Sequence, residues 1–414
     1  MATKIDWTVF VWRVSEMSQE SPSTIFLTGA GGFVGGRVAH RIALGEEQYD
    51  LKALLHTPSG PGAMRLARLP ADIEVGSVLD GDRMTELLAD CDAVINCAFG
   101  MGKTSVDGTR NLLQAAEAAG IESFVHMSTA VVHGHELEGT LDENAPLEPD
   151  TEYGEWKLKA EEIISEFAAT NRIDPTIVRP FIVYGPYSEW VTGTIEKLRT
   201  GAVLTEGGFG TLNQIYVDNL VDVLLLALEN PAARGETFLA ADDEEVRWRE
   251  YYHDISAMIG EHPPIKTMSR REIAARKKGR LLKDSVVPPA RIPMQIATST
   301  ETRGTVASEL SQTPWAEPAL KQLPAQVREG VLDTLSNNGH DVPFERLHSD
   351  DESSEEDSET ERYQLPSKRY ITMQTSTGSI STSKLKEVLD WEPRVSYDES
   401  IGLIEDWLAY EQIA

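Results

Sequence analysis

The sequence predicts an α/β protein built on an open, doubly wound parallel sheet, with a smaller C-terminal lobe. Three observations carry this. Strand-like and helix-like runs alternate from Ile25 to about Leu228, as a parallel sheet with crossover helices requires. A glycine cluster, Gly29-Ala30-Gly31-Gly32, separates an apolar β-forming run from a helix-compatible one. Downstream, Tyr153 and Lys157 stand one helical turn apart, after a strand that ends in hydroxyls.

The first strand is Ile25-Phe-Leu-Thr28, and the helix that follows the glycines carries Arg37-Val-Ala-His-Arg-Ile42. This strand-turn-helix order seats a pyrophosphate on a helix N-terminus. Gly29 permits the sharp turn, Gly32 lets phosphates reach the backbone, and Gly35 lets helix and strand pack closely. An ordinary tight turn is the bland alternative for a glycine cluster on its own. The second strand, Leu51-Lys-Ala-Leu-Leu55, ends at His56-Thr57 without the acid that holds a ribose 2′-hydroxyl. No arginine stands there either, although Arg65 and Arg68 follow shortly, so the choice between NAD and NADP stays open. Cys91 and Cys97 flank or lie on one predicted strand and read as reduced core residues, which implies a cytoplasmic setting.

Ser123-Phe-Val-His-Met-Ser-Thr129 reads as a buried strand whose C-terminal end presents Ser128 and Thr129, where open parallel sheets place ligands. A helix is predicted over Glu152 to Phe167, with Tyr153 and Lys157 on one face. An ammonium beside a phenol favours the phenolate, so Lys157 is expected to lower the Tyr153 pKa toward that of a working acid/base. Alone, such a pair is a solvated helix face. A further helical pattern, Asn219 to Leu228, returns the chain to the sheet after an excursion from Tyr187 to Thr211.

Thr28-Gly-Ala-Gly-Gly-Phe-Val-Gly35, Asp92-Ala-Val-Ile-Asn-Cys-Ala98, Val106-Asp-Gly-Thr-Arg-Asn-Leu-Leu113 and His126-Met-Ser-Thr-Ala-Val-Val-His-Gly134 occur in order. Tyr153-Gly-Glu-Trp-Lys157, Arg179-Pro-Phe-Ile-Val-Tyr-Gly-Pro186, Tyr216-Val-Asp-Asn-Leu220 and Trp391-Glu-Pro-Arg394 complete the series. With these motifs the chain resembles the extended short-chain dehydrogenase/reductase family of the NAD-dependent epimerase/dehydratase type, from about Ser23 to Tyr252 and from about Ser381 onward. The resemblance implies a Rossmann-type core and hydride transfer with bound NAD or NADP. It makes Thr129 the catalytic hydroxyl, Tyr153 the acid/base, and Lys157 its activator and a ribose ligand.

By the same resemblance Gly29, Gly31, Gly32, Phe33, Val34, Gly35, His56, Ser77, Val78, Cys97 and Ala98 line the dinucleotide, and Pro180, Ile182 and Val183 flank its nicotinamide. Ser128, Thr129, Tyr153, Asn213 and Tyr216 are assigned to the substrate. For Gly207-Gly-Phe-Gly210, Asn213 and Tyr216, placed on the pocket rim, a surface turn is an equal alternative. The partners implied are a nucleotide sugar and a second copy of the chain, joined through helices near Val106 to Ala119 and Tyr153 to Ala169. A reductase or dehydrogenase of a ketone, aldehyde or sterol-like alcohol is the second reading, and a non-catalytic dinucleotide-binding regulator the third. Ala130 and Val131 stand where dehydratases carry an Asp-Glu pair, which disfavours 4,6-dehydration. The connection from Ala98 to Gly108 is shorter than in nucleotide-sugar members, Ser105 replaces a frequent Asn, and Ser77 a frequent Asp.

The domain reading is an N-terminal extension over 1–22 and a core over 23–186 completed by about 212–242. A substrate lobe takes 187–211 and 243–414, with a family-atypical insertion at about 266–368. The insertion opens with Arg270-Arg271, Arg276-Lys277-Lys278, Arg280 and Lys283, read as a solvated amphipathic helix, with cations for a substrate diphosphate, an anionic membrane surface or the acidic tract as the alternatives, and it holds a disordered acidic tract at 349–361. Pro288-Pro289, Pro293 and Pro314 mark an irregular lid or linker within it. A net charge of −29 argues against nucleic acid as a partner. Asp6 to Val14 is apolar but too short to span a bilayer, and a translation start at Met17 is the preferred account of it. His126, His133 and His135 lack the companion ligands of a metal site, so none is expected.

Overall fold

Strands buried on both faces must be apolar throughout, and the runs rich in Val, Ile, Leu and Phe that open most of the βα repeats meet that demand, the more exposed edge run Asp72–Val75 excepted. In the computed structural model, which describes residues 23–45, 49–98, 100, 102–170, 173–285 and 363–412, they form the central sheet. Its strands are β1 (Thr24–Thr28), β2 (Asp50–Leu55), β3 (Asp72–Val75), β4 (Ala93–Asn96), β5 (Ser123–Met127), β7 (Thr176–Pro180) and β11 (Thr237–Ala240). Between β5 and β7 lies the short β6 (Thr140–Leu141), and between β7 and β11 lie β8 (Ile182–Tyr184), β9 (Val203–Thr205) and β10 (Gln214–Tyr216). The seven strands run parallel in the order β11-β7-β5-β4-β1-β2-β3. Strand order reverses between β1 and β4, and the crevice beyond their C-terminal ends is where such sheets bind ligands.

Helices cover both faces. On one side α1 (Phe33–Leu44) and α7 (Val217–Glu229) bury Val34, Val38 and Ile42 against Leu220, Val221 and Leu224. Their solvent edges are joined by Arg37–Asp218 and by Arg41–Asp222 at 2.5 Å. On the other side α3 (Gly81–Leu88), α4 (Lys103–Ala119) and α5 (Glu152–Ala168) pack Met84, Leu88, Leu112, Leu113, Ile163 and Ile164 on the sheet. The short α2 (Pro61–Leu66) links β2 to β3. Helix α5 covers the predicted one, whereas α7 starts two residues earlier than the apolar period suggested. The predicted strand to Thr129 stops at Met127, leaving Ser128 and Thr129 just past the sheet edge.

Two compact units divide the chain, one of residues 1–267 with 366–414 and one of 268–365. The first also contains an aromatic-rich cluster from α6 (Glu189–Thr200), α8 (Trp248–Met258), β8 and β10, with Tyr184, Leu198, Trp248, Tyr251 and Tyr252 at its centre. The boundary between the units falls within β12 (Lys266–Met268), and in the second unit α9 (Arg270–Ser285) contains an Arg276–Glu272 pair at 3.0 Å. This is the basic run that was expected to be helical. The acidic tract, the prolines at 288, 289, 293 and 314, and residues 1–22 lie outside the described residues.

Three helices return the chain to the first unit, α10 (Lys368–Thr375), α11 (Ser383–Leu389) and α12 (Tyr397–Tyr410), with β13 (Ser379–Ile380) pairing in parallel with β6. Asn219 fastens this return. Its buried amide accepts from the Arg394 and Val395 nitrogens at 3.1 and 2.9 Å and donates to the Val395 carbonyl and to Asp242, both at 2.8 Å. Trp391 is thereby held in the sheet core. Among the described residues no helix is long and apolar enough to cross a membrane.

Candidate active site

The glycine loop follows from backbone crowding. Gly29 has φ +69°, and a Cβ there would lie 2.3 Å from the Cys97 carbonyl oxygen, so β1 and β4 can meet at the switch point only through a glycine. A Cβ on Gly35 would lie 2.2 Å from the Gly29 oxygen. The Gly32 nitrogen donates to the Gly29 carbonyl at 2.9 Å, and α1 then starts with neither a side-chain cap nor an acid in its first turn. Its free N–H groups and positive dipole end make a seat for an anion. Sequence reasoning missed one member of this loop. A Cβ on Gly62, in the first turn of α2, would lie 2.0 Å from the Gly31 oxygen, so α2 closes against the loop from outside.

Around this seat, Phe33 packs against both the sheet core and the aromatic cluster. Val34 is buried in α1, His56 is exposed at the end of β2, and Val78 is buried beside a half-buried Ser77 whose hydroxyl accepts from the Leu79 nitrogen at 3.2 Å. Cys97 is buried, with burial pushing its thiol up to about 12, and the Ala98 nitrogen donates to Thr28 at 3.1 Å. Pro180 closes β7, and Ile182 and Val183 lie on β8. Glycines at an uncapped helix end, apolar walls and a switch-point crevice fit a dinucleotide.

Across the ends of β1, β4 and β5, Thr28 donates to Asn96 at 2.6 Å and Asn96 meets His126 Nδ1 at 3.0 Å. The Asn96 amide nitrogen only donates, so Nδ1 accepts and the His126 proton sits on Nε2, which is buried without a partner among the described residues. Burial, then the Lys157 charge, hold His126 well below its ordinary pKa.

Thr129 caps the 3₁₀ turn Ala130–His133, its hydroxyl accepting from the Val131 nitrogen at 3.2 Å. Tyr153 lies in the first turn of α5, which Thr151 caps by accepting from the Gly154 nitrogen at 3.2 Å. A Cβ on Gly154 would press to 2.9 Å from Pro149 and 3.1 Å from the Val131 oxygen, so this glycine lets the helix close on the Thr129 turn. The phenol and the Thr129 hydroxyl share a hydrogen bond. Burial raises the Tyr153 pKa, opposed by that hydrogen bond and by the Arg369 charge.

This differs from the expectation that Lys157 would lower it. Lys157 is buried, its ammonium donates to the Met127 carbonyl at 2.9 Å, and burial brings it down to about 8. The charge that assists Tyr153 comes instead from Arg369, on α10 directly after the atypical segment, and no local pattern pointed to it.

Three expected substrate contacts are placed differently. Ser128 is buried and its hydroxyl donates to Glu161, whereas the equally buried Thr129 turns its hydroxyl to the Val131 nitrogen. Asn213, at φ +38°, donates to the Gly378 carbonyl at 2.8 Å and accepts from the Ile380 nitrogen at 3.1 Å, which ties down the strand that returns to β6. Tyr216 is buried edge-on against Tyr184. The three histidines face separate partners, His126 toward Asn96, His133 toward Pro146 and Arg179, and His135 toward Asp150 at 2.5 Å.

Residues 25–241 match the NAD dependent epimerase/dehydratase family. The N-acetyl-alpha-D-glucosaminyl-diphospho-ditrans,octacis-undecaprenol 4-epimerase of Escherichia coli O157:H7 is 28% identical over 255 residues, 58% of this chain and 73% of that protein. The UDP-glucose 4-epimerase of Vibrio cholerae is 25% identical over 266 residues, 58% and 77% of the two chains. Among solved structures, the UDP-glucose 4-epimerase of Thermotoga maritima superposes with a TM-score of 0.62 at 18% identity, covering 94% of this chain and 99% of that one. This last likeness is one of fold.

Proposed function

The chain belongs to the NAD-dependent epimerase/dehydratase family, and on that premise we propose that it epimerises a nucleotide-linked sugar by reversible hydride transfer. The observation that carries the reading is the Thr129–Tyr153 hydroxyl pair at the mouth of the crevice whose floor is the uncapped α1 and its glycines. NAD or NADP is held by Gly29, Gly31, Gly32 and the first turn of α1, with His56, Ser77 and Val78 toward its adenosine and Pro180, Ile182 and Val183 toward its nicotinamide. When bound, the nicotinamide supplies the hydride acceptor and donor.

Thr129 orients the reacting hydroxyl and Tyr153 takes its proton as the carbon is oxidised, then returns it on reduction. Arg369 and the Thr129 hydrogen bond both favour the phenolate that this step needs. The exposed Arg369 also suits a substrate that carries phosphate, and the residues around the aromatic cluster serve as the substrate lobe. Two copies associate through α4 and α5, in the cytoplasm. A second reading, reductase of a ketone or sterol-like alcohol, is favoured by the short connection between Ala98 and the start of α4 at Lys103.

The test is native mass spectrometry of the purified protein for bound dinucleotide, followed by incubation with UDP-glucose and UDP-N-acetylglucosamine and chromatography for the C4 epimers. Retained NAD with epimer formation is expected. An empty site that consumes NADPH with ketones, and forms no epimer, would replace this reading with the reductase.

A further inference from the structure

We propose that His133 is a positioning residue for Thr129, acting through a closed, buried ring of contacts that runs through Arg179, Glu161 and Ser128. The ring can be followed atom by atom. Thr129 caps the 3₁₀ turn and His133 ends it. His133 Nδ1 lies 2.9 Å from the Pro146 carbonyl, which can only accept, so the proton is on Nδ1. Nε2 is then the acceptor, and Arg179 Nη1 donates to it at 3.1 Å. Arg179 grips Glu161 with two donors, Nε at 3.0 Å and Nη2 at 2.5 Å. Glu161 accepts the Ser128 hydroxyl, and Ser128 is joined by its peptide bond to Thr129.

All four side chains are 8% exposed or less, so water cannot replace a missing partner. The ring holds Thr129 from both sides. Because Glu161 stands on α5 with Tyr153, it also holds the phenol's helix against the segment after β5 that carries the Thr129 hydroxyl.

A protonated His133 would present an N–H to the Arg179 guanidinium and open the ring. The charged groups facing His133 are Arg179 from β7, Glu161 from α5 and Glu143 from the segment between β6 and α5. Burial, the largest influence, and Arg179 keep the imidazole neutral, against the Pro146 hydrogen bond and the two carboxylates. The ring therefore closes above the depressed His133 pKa and is lost as pH falls through it, below the ordinary 6.5.

The inference rests on the reading in which Thr129 and Tyr153 act. The test compares wild type with His133→Gln, His133→Asn, His133→Ala and Tyr153→Phe in the full chain. Gln carries an oxygen where Nε2 lies and can accept from Arg179, whereas Asn keeps only the donor to Pro146. Two readouts need no substrate. Nitrogen-15 spectra of histidine-labelled protein are expected to show His133 with its proton on Nδ1 and a titration midpoint below the ordinary 6.5. Amide exchange of the peptide spanning 129–133 is expected to rise about tenfold in the Asn and Ala variants but not in Gln.

With NAD and UDP-glucose as probes, Asn and Ala should lose on the order of a hundredfold in kcat with KM nearly unchanged, and Gln should recover most of it. An Nε2–H tautomer, or exchange unchanged in Asn and Ala, overturns the proposal, as does a Gln variant as impaired as Ala. An active Tyr153→Phe would overturn the reading of the site instead. A dead Tyr153→Phe beside a fully active His133→Asn would overturn the ring alone.

Discussion

Single residues set the chemistry at the crevice, and their environments set its pH dependence. Tyr153→Phe removes the proton carrier without touching the glycine seat, so turnover should fall by roughly 10²–10⁴-fold while dinucleotide affinity is kept. Steady-state rates beside calorimetric binding decide it, and retained turnover would refute the assignment. Lys157, brought down to about 8 by burial, has released its proton in the folded state at pH values where the unfolded chain still holds one. Its contribution to stability therefore rises with pH between about 8 and its ordinary 10.5. Denaturant titrations at several pH values should show that slope in wild type and lose it in Lys157→Met. Gly62→Ala drives a methyl into the Gly31 carbonyl and should weaken dinucleotide binding at least about tenfold, since even ångström-scale displacement of a positioned group is costly.

Secondary elements are positioned by contacts that link distant parts of the chain. Asn219 ties α7, the segment after β11 and the Trp391–Val395 turn together, and its replacement by Ala strands several buried donors and acceptors. A loss of about 3 kcal/mol is expected, with early proteolysis of the C-terminal return. A cut pattern like wild type and an unchanged unfolding midpoint would show the junction to be dispensable. Helices α5 and α7 were legible in advance because the apolar period is local. The early end of β5 was not, because ladder partners decide where a strand stops and they are remote in sequence.

For the whole molecule, a net charge of −29 makes self-repulsion a term in stability that dissolved salt screens. Melting temperature should rise between about 0.05 and 1 M sodium chloride, where the Debye length shrinks to a few ångströms. A flat or falling Tm would mean that the acidic surface is already compensated. Sedimentation at the mass of two chains is the outcome expected from pairing through α4 and α5, and a monomer would remove that part of the reading.

The sequence by itself determined the sheet class, the glycine loop and the placing of Thr129, Tyr153 and Lys157 at one edge, because each depends on neighbours within a turn or a strand. Only the tertiary structure decided which groups those residues meet. Lys157 is bonded to Met127, Ser128 faces Glu161, Asn213 holds the strand after Gly378, and the charge of Arg369, far along the chain, acts on Tyr153. Hydrogen bonding and pKa depend on distance and burial in space, and a local pattern of residue types encodes neither across more than 160 positions, the separation of Asn213 from Gly378.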